Sequence, residues 1–164
     1  MTSDRHRFEI TVENRQKRIR ILRPRLLRRV REVLARLGWK RAGLSLLLVD
    51  DAEIRRLHRR FLGQDRATDV LAFGQQEGKP FPGRGTPFLG DVVVSVETAR
   101  RAGPEYGNRW DEELLLYLCH GILHLMGWQD STPAQRARMD RKQQNLLRKV
   151  LGARWRSKNR KLLF

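Results

Sequence analysis

The most chemically distinctive residues of the chain lie in one short stretch, from Leu118 to Asp130. His120 and His124 are separated by three residues, so on a helix both imidazoles leave the same face, one turn apart. Gly127 predicts the end of that helix, and Asp130 follows at a distance from which its carboxylate can return toward the two rings. Two imidazole nitrogens and one carboxylate oxygen can hold a zinc ion and leave its fourth tetrahedral position open for water. The spacing therefore predicts a site for one zinc ion on His120, His124 and Asp130.

The same residues could have other roles than binding zinc through this set of three ligands. Two histidines at this spacing can be satisfied on the flank of a helix whose apolar positions have ordinary core spacing. Asp130 can instead cap the turn before Thr132, with Gln129 or water completing the metal's coordination sphere. Cys119 points about 100° away from His120 along the helix, which predicts a small packed residue rather than a ligand.

The residue after the first histidine bears on the kind of reaction. In the His-Glu-x-x-His pattern of zinc proteases, the glutamate at this position is the general base. Here the position is Gly121, so peptide hydrolysis loses support. Asp69 and Asp91 lie at the edges of apolar runs, where they could bond backbone groups or orient a metal-bound histidine. The sequence identifies no general base.

Hydrophobic periodicity predicts the elements that must position these residues. Short alternating or continuous apolar runs predict four strands, near Phe8–Val12, Leu44–Val49, Val70–Phe73 and Leu89–Val96. Helical spacing, N-cap residues and glycine or proline breaks predict five helices, near 24–37, from Asp50 or Asp51 to Gly63, and near 97–102, 110–126 and 133–151. Gly103-Pro104 is expected to end the third helix, and Thr132–Gln135 is typical of a capping box for the last one.

These elements predict an α+β fold in one domain. We expect a small mixed β-sheet of about four strands packed with about five helices, with the metal site on a central helix. The 164 residues suffice for one core. Residues 1–152 are expected to form a single catalytic domain, and residues 153–164 a flexible basic tail.

The charge of the chain predicts a polyanionic partner. Thirty-five Lys and Arg residues against 18 Asp and Glu residues give a formal net charge of +17. Eight of the basic residues lie between Gln16 and Arg31, where there is no acidic residue, and a second basic block begins at Ala153. Such blocks suit contacts with the phosphates of nucleic acid, and less often with an anionic membrane surface. Trp155, between two arginines, could stack on an unpaired base, unless the block is only a disordered charged tail.

Three motifs resemble those of the YbeY family of bacterial endoribonucleases. His120–Asp130 resembles the family's His-Gly-x-Leu-His-Leu-x-Gly signature. Thr68–Phe73 is similar to its Thr-Asp-Val-Leu-Ser-Phe block, and Leu89–Ser95 to its Leu-Gly-Asp-Ile strand. In order and spacing the resemblance covers about residues 8 to 151.

The resemblance implies a metal-dependent, single-strand-specific endoribonuclease that acts on ribosomal RNA in small-subunit maturation and ribosome quality control. It implies zinc on His120 and His124, and puts Asp130 where the family normally has a third histidine. Leu62 stands where many relatives have an arginine. If that arginine steadies phosphate, its role falls here to Arg59, Arg60 or Arg66, of which Arg59 and Arg60 are taken as the phosphate stabilisers.

Three functions remain open at this point. The first is the zinc-dependent endoribonuclease, and the second is a non-catalytic RNA-binding ribosome-assembly factor with a structural or decayed metal site. A zinc protease is the third, disfavoured by Gly121. The longest apolar run, Leu44–Val49, is far shorter than the ~20 residues of a membrane span, so no membrane partner is expected. A single cysteine and no apolar leader predict a cytoplasmic protein.

Overall fold

A computed structural model describes residues 6–74 and 85–156 of the chain. Four strands form one sheet: β1 (Arg7–Asn14), β2 (Arg41–Val49), β3 (Val70–Gly74) and β4 (Phe88–Ser95). Five helices surround it: α1 (Arg23–Arg36), α2 (Asp51–Leu62), α3 (Val96–Glu105), α4 (Trp110–Leu125) and α5 (Pro133–Leu151). The strand order is β1-β2-β4-β3, with β3 antiparallel to β4 and the other pairs parallel. The predicted α+β class, with a mixed four-stranded sheet and five helices, is confirmed.

The two faces of the sheet bury two separate apolar clusters. Successive side chains of a strand point to opposite faces. On β4, Val92 and Val94 belong to the main core, which also contains the buried residues of α1 and α4, whereas Val93 belongs to a smaller cluster with Ile54 of α2. The helix α4 therefore lies on one face of the sheet, and α2 on the other.

The helix α4 is the central element of the main core. Every residue from Glu112 to Leu123 is buried, because the helix contacts β3, β4, α1, α3 and α5. Such a helix is apolar around most of its circumference rather than along one stripe. Polar side chains on it, His120 among them, are thus held by the packing of their neighbours.

The third helix extends well beyond its predicted end. Gly103 and Pro104, expected to end the third helix, lie inside α3, which continues to Glu105. The backbone of Gly103 packs directly on α4, where a Cβ atom would lie 2.9 Å from the Cα atom of Trp110. This glycine serves the close approach of two helices rather than a break.

The start of the basic tail also differs from the prediction. Trp155 is only 4% exposed, and its indole Nε1 donates a hydrogen bond of 2.6 Å to Oε1 of Gln144 on α5. Arg154 pairs with Glu112, and the backbone N–H of Arg156 donates to Asn108. Residues 153–156 are therefore anchored, and Trp155 is packed in the core instead of stacking on RNA. The flexible tail expected for 157–164 lies outside the described residues.

Within the described ranges, none of the helices combines the length and the apolar composition that a bilayer crossing requires.

Candidate metal centre

The two histidines meet at the end of α4. The Nε2 atoms of His120 and His124 are 3.0 Å apart, and the rings pack edge to face. His120 is buried, whereas His124 is partly exposed. The helix ends directly after them, since Gly127 adopts a left-handed conformation with φ of 93° and the N–H of Trp128 bonds back to the carbonyl of Leu123.

Asp130 returns to the two rings after this turn. Its Oδ2 atom lies 3.4 Å from Nε2 of His120 and 3.4 Å from Nε2 of His124. One ligand atom from each of the three residues falls within 4.8 Å of the others. The structure thus brings together the three residues that the spacing singled out.

The capping role considered for Asp130 is filled by other residues. The side chain of Thr132 accepts from the N–H of Gln135, and the Gln135 side chain accepts from the N–H of Thr132, which completes a capping box at the start of α5. Gln129 is exposed and accepts from Gln135 Nε2 at 3.0 Å. The carboxylate of Asp130 faces the histidines instead.

The protonation states of the cluster suit a cation. Burial and the neighbouring His120 ring lower the pKa of His124, which keeps its imidazole neutral at neutral pH. The contact with the His120 ring is the largest cause of the lowered pKa of Asp130, so this carboxyl is ionised at neutral pH. Neutral imidazoles and an ionised carboxylate are the forms that bind a divalent metal.

A buried glutamine orients His120. Oε1 of Gln143 on α5 lies 2.5 Å from Nδ1 of His120. Because an amide oxygen only accepts, Nδ1 carries the proton and Nε2 keeps its lone pair for the cluster. Asp69 and Asp91, considered for such a role, belong to the segment before β3 and to β4. Sequence reasoning did not find Gln143, although a glutamine four residues from both Met139 and Leu147, on an apolar stripe, is the pattern that marks it.

Gly121 has a steric reason to be glycine. A Cβ atom there would lie 2.6 Å from Cγ1 of Val92 and 3.2 Å from Cγ2 of Val70. This position faces the sheet, so it has no room for the glutamate of a zinc protease. Cys119 is also inside the core, where burial raises the pKa of its thiol to about 12, as expected of a packed residue and not of a metal ligand.

The structure does not bring Arg59 and Arg60 to this cluster. Both are exposed in the last turn of α2, across the sheet from α4, and the guanidinium of Arg60 lies over the ring of Phe61. Leu62 is half exposed next to them. The role of Arg59 and Arg60 as phosphate stabilisers stays a prediction.

A cavity of about 400 Å³ adjoins the segment that links His124 to Asp130. It is lined by Met126, Gly127, Trp128, Gln129, Gln135 and Arg138. An indole, two amides and a guanidinium there offer a stacking surface and hydrogen-bonding groups next to the segment that links His124 to Asp130.

Comparisons with known proteins agree on one family. A family model described as "Endoribonuclease YbeY" matches residues 11–151. An endoribonuclease YbeY of Anaeromyxobacter sp. is 46% identical over 124 residues, which are 76% of this chain and 62% of the relative. Another, of Syntrophus aciditrophicus, is 34% identical over 145 residues, 87% of this chain and 90% of the relative.

The fold is also similar to that of a solved structure. The solution structure of TM1509 from Thermotoga maritima aligns with a TM-score of 0.61 at 27% sequence identity, covering 86% of this chain and 88% of the other. The chain spans less than two thirds of the Anaeromyxobacter relative, but most of the Syntrophus relative and of TM1509.

Proposed function

This chain belongs to the endoribonuclease YbeY family, and from that premise we propose that it is a metal-dependent endoribonuclease that cuts single-stranded RNA. The proposed substrate is ribosomal RNA, cleaved during maturation of the small ribosomal subunit in the cytoplasm. The relatives named as endoribonucleases support the reaction. The high positive charge of the chain supports an RNA partner.

The observation that carries the proposal is the cluster of His120, His124 and Asp130. Its three ligand atoms converge from the end of one helix and the loop after it, with protonation states suited to a divalent cation. We infer that it holds one zinc ion, for which two imidazoles and a carboxylate are an ordinary catalytic ligand set. A zinc ion there would act as a Lewis acid toward a phosphoryl oxygen and would make a water molecule more acidic.

The chain's own residues prepare the site for RNA. Gln143 fixes the tautomer of His120, and the packing of α4 on the sheet fixes the position of both rings. Trp128 and Arg138 line the adjoining cavity, where an indole can stack on an unpaired base and a guanidinium can pair with a phosphate. Because stacking needs an unpaired base, this arrangement favours single-stranded over double-stranded RNA.

A non-catalytic assembly factor is the second candidate. It would bind RNA through the same basic residues, and its metal would only stabilise the turn after α4. The ligand set favours the enzyme, because a structural zinc site has four protein ligands, whereas the cluster in the described part of the chain offers three and would leave one position open. A zinc protease is disfavoured, since Gly121 has no room for the required base.

The deciding experiment is cleavage of a labelled single-stranded RNA by zinc-loaded protein. We expect internal cuts that a chelator abolishes and added zinc restores, with little cutting of the same RNA in a duplex. His124→Ala should be inactive, whereas His6→Ala, which replaces an exposed histidine just before β1, should cut like the wild type.

Each other outcome points to one alternative. RNA binding without cleavage at any zinc concentration would support the assembly factor. Cleavage of casein under the same conditions would support the protease. Cutting that survives the chelator would remove the metal from the mechanism.

A further inference from the structure

A second cavity lies far from the histidines, where α1 and α4 begin. Its volume is about 330 Å³. Four arginines line it: Arg20, Arg25, Arg29 and Arg109. We call it the arginine pocket. None of its lining residues belongs to the metal cluster.

One carboxylate is shared by three of these arginines. Oδ2 of Asp111 lies 3.1 Å from the Arg29 guanidinium and 3.6 Å from that of Arg25, while Oδ1 lies 3.3 Å from Nε of Arg109. Asp111 is the single acidic residue among the described residues that line the cavity. Burial and repulsion by Arg25 lower the pKa of Arg29, as expected where cations exceed their counter-charges. The arginine pocket therefore keeps an excess of positive charge that favours an anion.

The start of α1 adds to this field. Its N-cap residue, Leu22, makes no side-chain hydrogen bond to the first turn, which also contains no acidic residue. The positive end of the helix dipole is thus not offset by a side chain of its own first turn.

The same cavity has an apolar wall. Leu22 is 53% exposed and Trp110 is partly exposed, next to Ile21 and Leu114. An anion alone would leave this surface uncovered. A ligand that suits both parts carries a negative group beside a flat, weakly polar body.

We propose that the arginine pocket binds one nucleotide of single-stranded RNA, with its phosphate on the arginines and its base against Trp110 and Leu22. This inference rests on the proposed function, because it takes RNA as the substrate. Guanidinium groups pair with phosphate through two parallel hydrogen bonds, and indole rings stack on unpaired bases of any sequence. An acidic peptide would satisfy the arginines but would leave the apolar wall without a partner.

The position of the pocket gives it a role apart from cleavage. Trp110 and His124 are at opposite ends of α4, about 21 Å apart at 1.5 Å per residue. An RNA bound at the arginine pocket is thus held several nucleotides from the bond that is cut. Removal of this anchoring point should raise KM and leave kcat nearly unchanged.

The test compares two double variants that remove the same charge. Arg25→Gln with Arg109→Gln alters the arginine pocket but leaves Arg29 paired with Asp111. Arg100→Gln with Arg148→Gln alters two exposed arginines of α3 and α5 that lie outside both basic blocks and do not line the cavity. Fluorescence anisotropy with a 12-nucleotide 2′-O-methyl RNA gives the Kd of the zinc-loaded proteins at several salt concentrations. Cleavage of the unmodified RNA gives kcat and KM.

We expect the pocket variant to bind about tenfold more weakly, as for removal of charge-assisted hydrogen bonds, and the control pair to stay within about twofold of the wild type. The slope of log K against log salt is negative, and it should become less steep by about 0.7 for each phosphate that the protein no longer neutralises. Trp110→Leu, which keeps an apolar side chain, should weaken binding several-fold without changing the slope.

Three results would overturn the proposal, and they are distinguishable. If both double variants lose the same affinity for RNA while the wild type cleaves normally, RNA binding depends on diffuse positive charge and not on the arginine pocket. The proposed function would then stand without the pocket. In the second result, decaglutamate competes with the RNA and binds the wild type with the same affinity as the RNA does. If the pocket variant alone loses this competition, the cavity is assigned to an acidic peptide. Wild-type protein that neither binds nor cleaves RNA would remove the pocket's role together with the proposed function.

Discussion

The Nδ1 atom of His120 lies 2.5 Å from Oε1 of Gln143, so α5 determines which nitrogen of this histidine carries the proton. Both side chains are buried, His120 on α4 and Gln143 on α5. A histidine ring held at one nitrogen presents the other in a fixed direction, and such an outer partner strengthens metal binding. Gln143 is therefore a positioning residue of the proposed zinc site.

Replacement of Gln143 by leucine should weaken zinc binding about 10–100-fold, because Nδ1 of His120 loses its acceptor. Gln143→Glu keeps an acceptor and should bind zinc at least as tightly as the wild type. The measurement is competition against a chromophoric chelator at neutral pH. The matched control is Gln144→Leu, a buried neighbour whose oxygen accepts from Trp155, which should lower the melting temperature but not the zinc affinity. Equal zinc affinity in Gln143→Leu and the wild type would contradict the role assigned to Gln143.

Gly121→Ala should destabilise the protein by about 1–2 kcal/mol, because so close a contact has a cost in the upper part of the usual range of about 1–3 kcal/mol for overpacking a core, and a gain in helix propensity is subtracted from it. The added methyl would lie 2.6 Å from Val92, and its helix-propensity gain of about 1 kcal/mol offsets only part of that collision. Chemical denaturation of the metal-free protein measures the difference. Val92→Ala removes a buried side chain and is itself destabilising, but it makes room for the methyl, so the double variant should lose less stability than the sum of the two single losses. Unchanged stability in the single variant would show that the helix and the sheet are not in close contact there.

Asp51 should stabilise the fold in a pH-dependent way. Burial opposes its ionisation, but hydrogen bonds from Ser95, Thr98 and Arg101 outweigh burial and lower the pKa of Asp51. A carboxyl with a lowered folded-state pKa adds stability above its unfolded pKa of about 3.9, and this is lost as pH falls through the folded pKa. Asp51→Asn should therefore lose about 1–2 kcal/mol at pH 7 and approach the wild type below about pH 4.

Thermal unfolding across pH 3–8 tests this expectation. Asp65→Asn is the control, because its ion pair with Arg55 is exposed and such pairs contribute little. A stability difference between Asp51→Asn and the wild type that stays constant down to pH 3 would show that the ionised carboxylate is not responsible.

Trp155→Ala should cost about 3–5 kcal/mol, as for other large buried aromatics. Trp155→Phe keeps most of the packing but cannot donate to Gln144, so its cost should be smaller. The control is Arg156→Ala, since Arg156 is exposed and bonds Asn108 through its backbone. If Trp155→Ala and Arg156→Ala have the same melting temperature, Trp155 does not stabilise the fold, and the prediction of a flexible tail from residue 153 would hold instead.

Local signals were sufficient for most of the fold and for the grouping of the three residues of the proposed metal site. Helical spacing puts His120 and His124 on one face, and Gly127 ends the helix at the point from which Asp130 can return. The capping box at Thr132 begins α5 where the sequence predicts it. Each of these features depends on residues close together along the chain, which is why the pattern alone predicts them.

Features that depend on distant elements were missed. Gln143 contacts His120 across 23 positions, and its role follows from how α5 packs on α4. Gly103 and Pro104 lie inside α3 rather than at its end, and Gly103 lets this helix pack closely on Trp110. The burial of Trp155 depends on Gln144, 11 positions away. A basic flank predicted a solvated tail there, whereas packing against α5 buries the indole.

The central claim is that His120, His124 and Asp130 hold one zinc ion, and the most direct test is the metal content of purified protein after dialysis, measured by elemental analysis. We expect about one zinc per chain in the wild type, none in His120→Ala and Asp130→Ala, and an intermediate content in Asp130→Asn. Asp130→His, which provides a third imidazole, should hold zinc at least as tightly as the wild type. Stoichiometric zinc in Asp130→Ala, after dialysis that strips His120→Ala, would remove Asp130 from the site, and wild-type protein without zinc even after zinc is supplied would contradict the account as a whole.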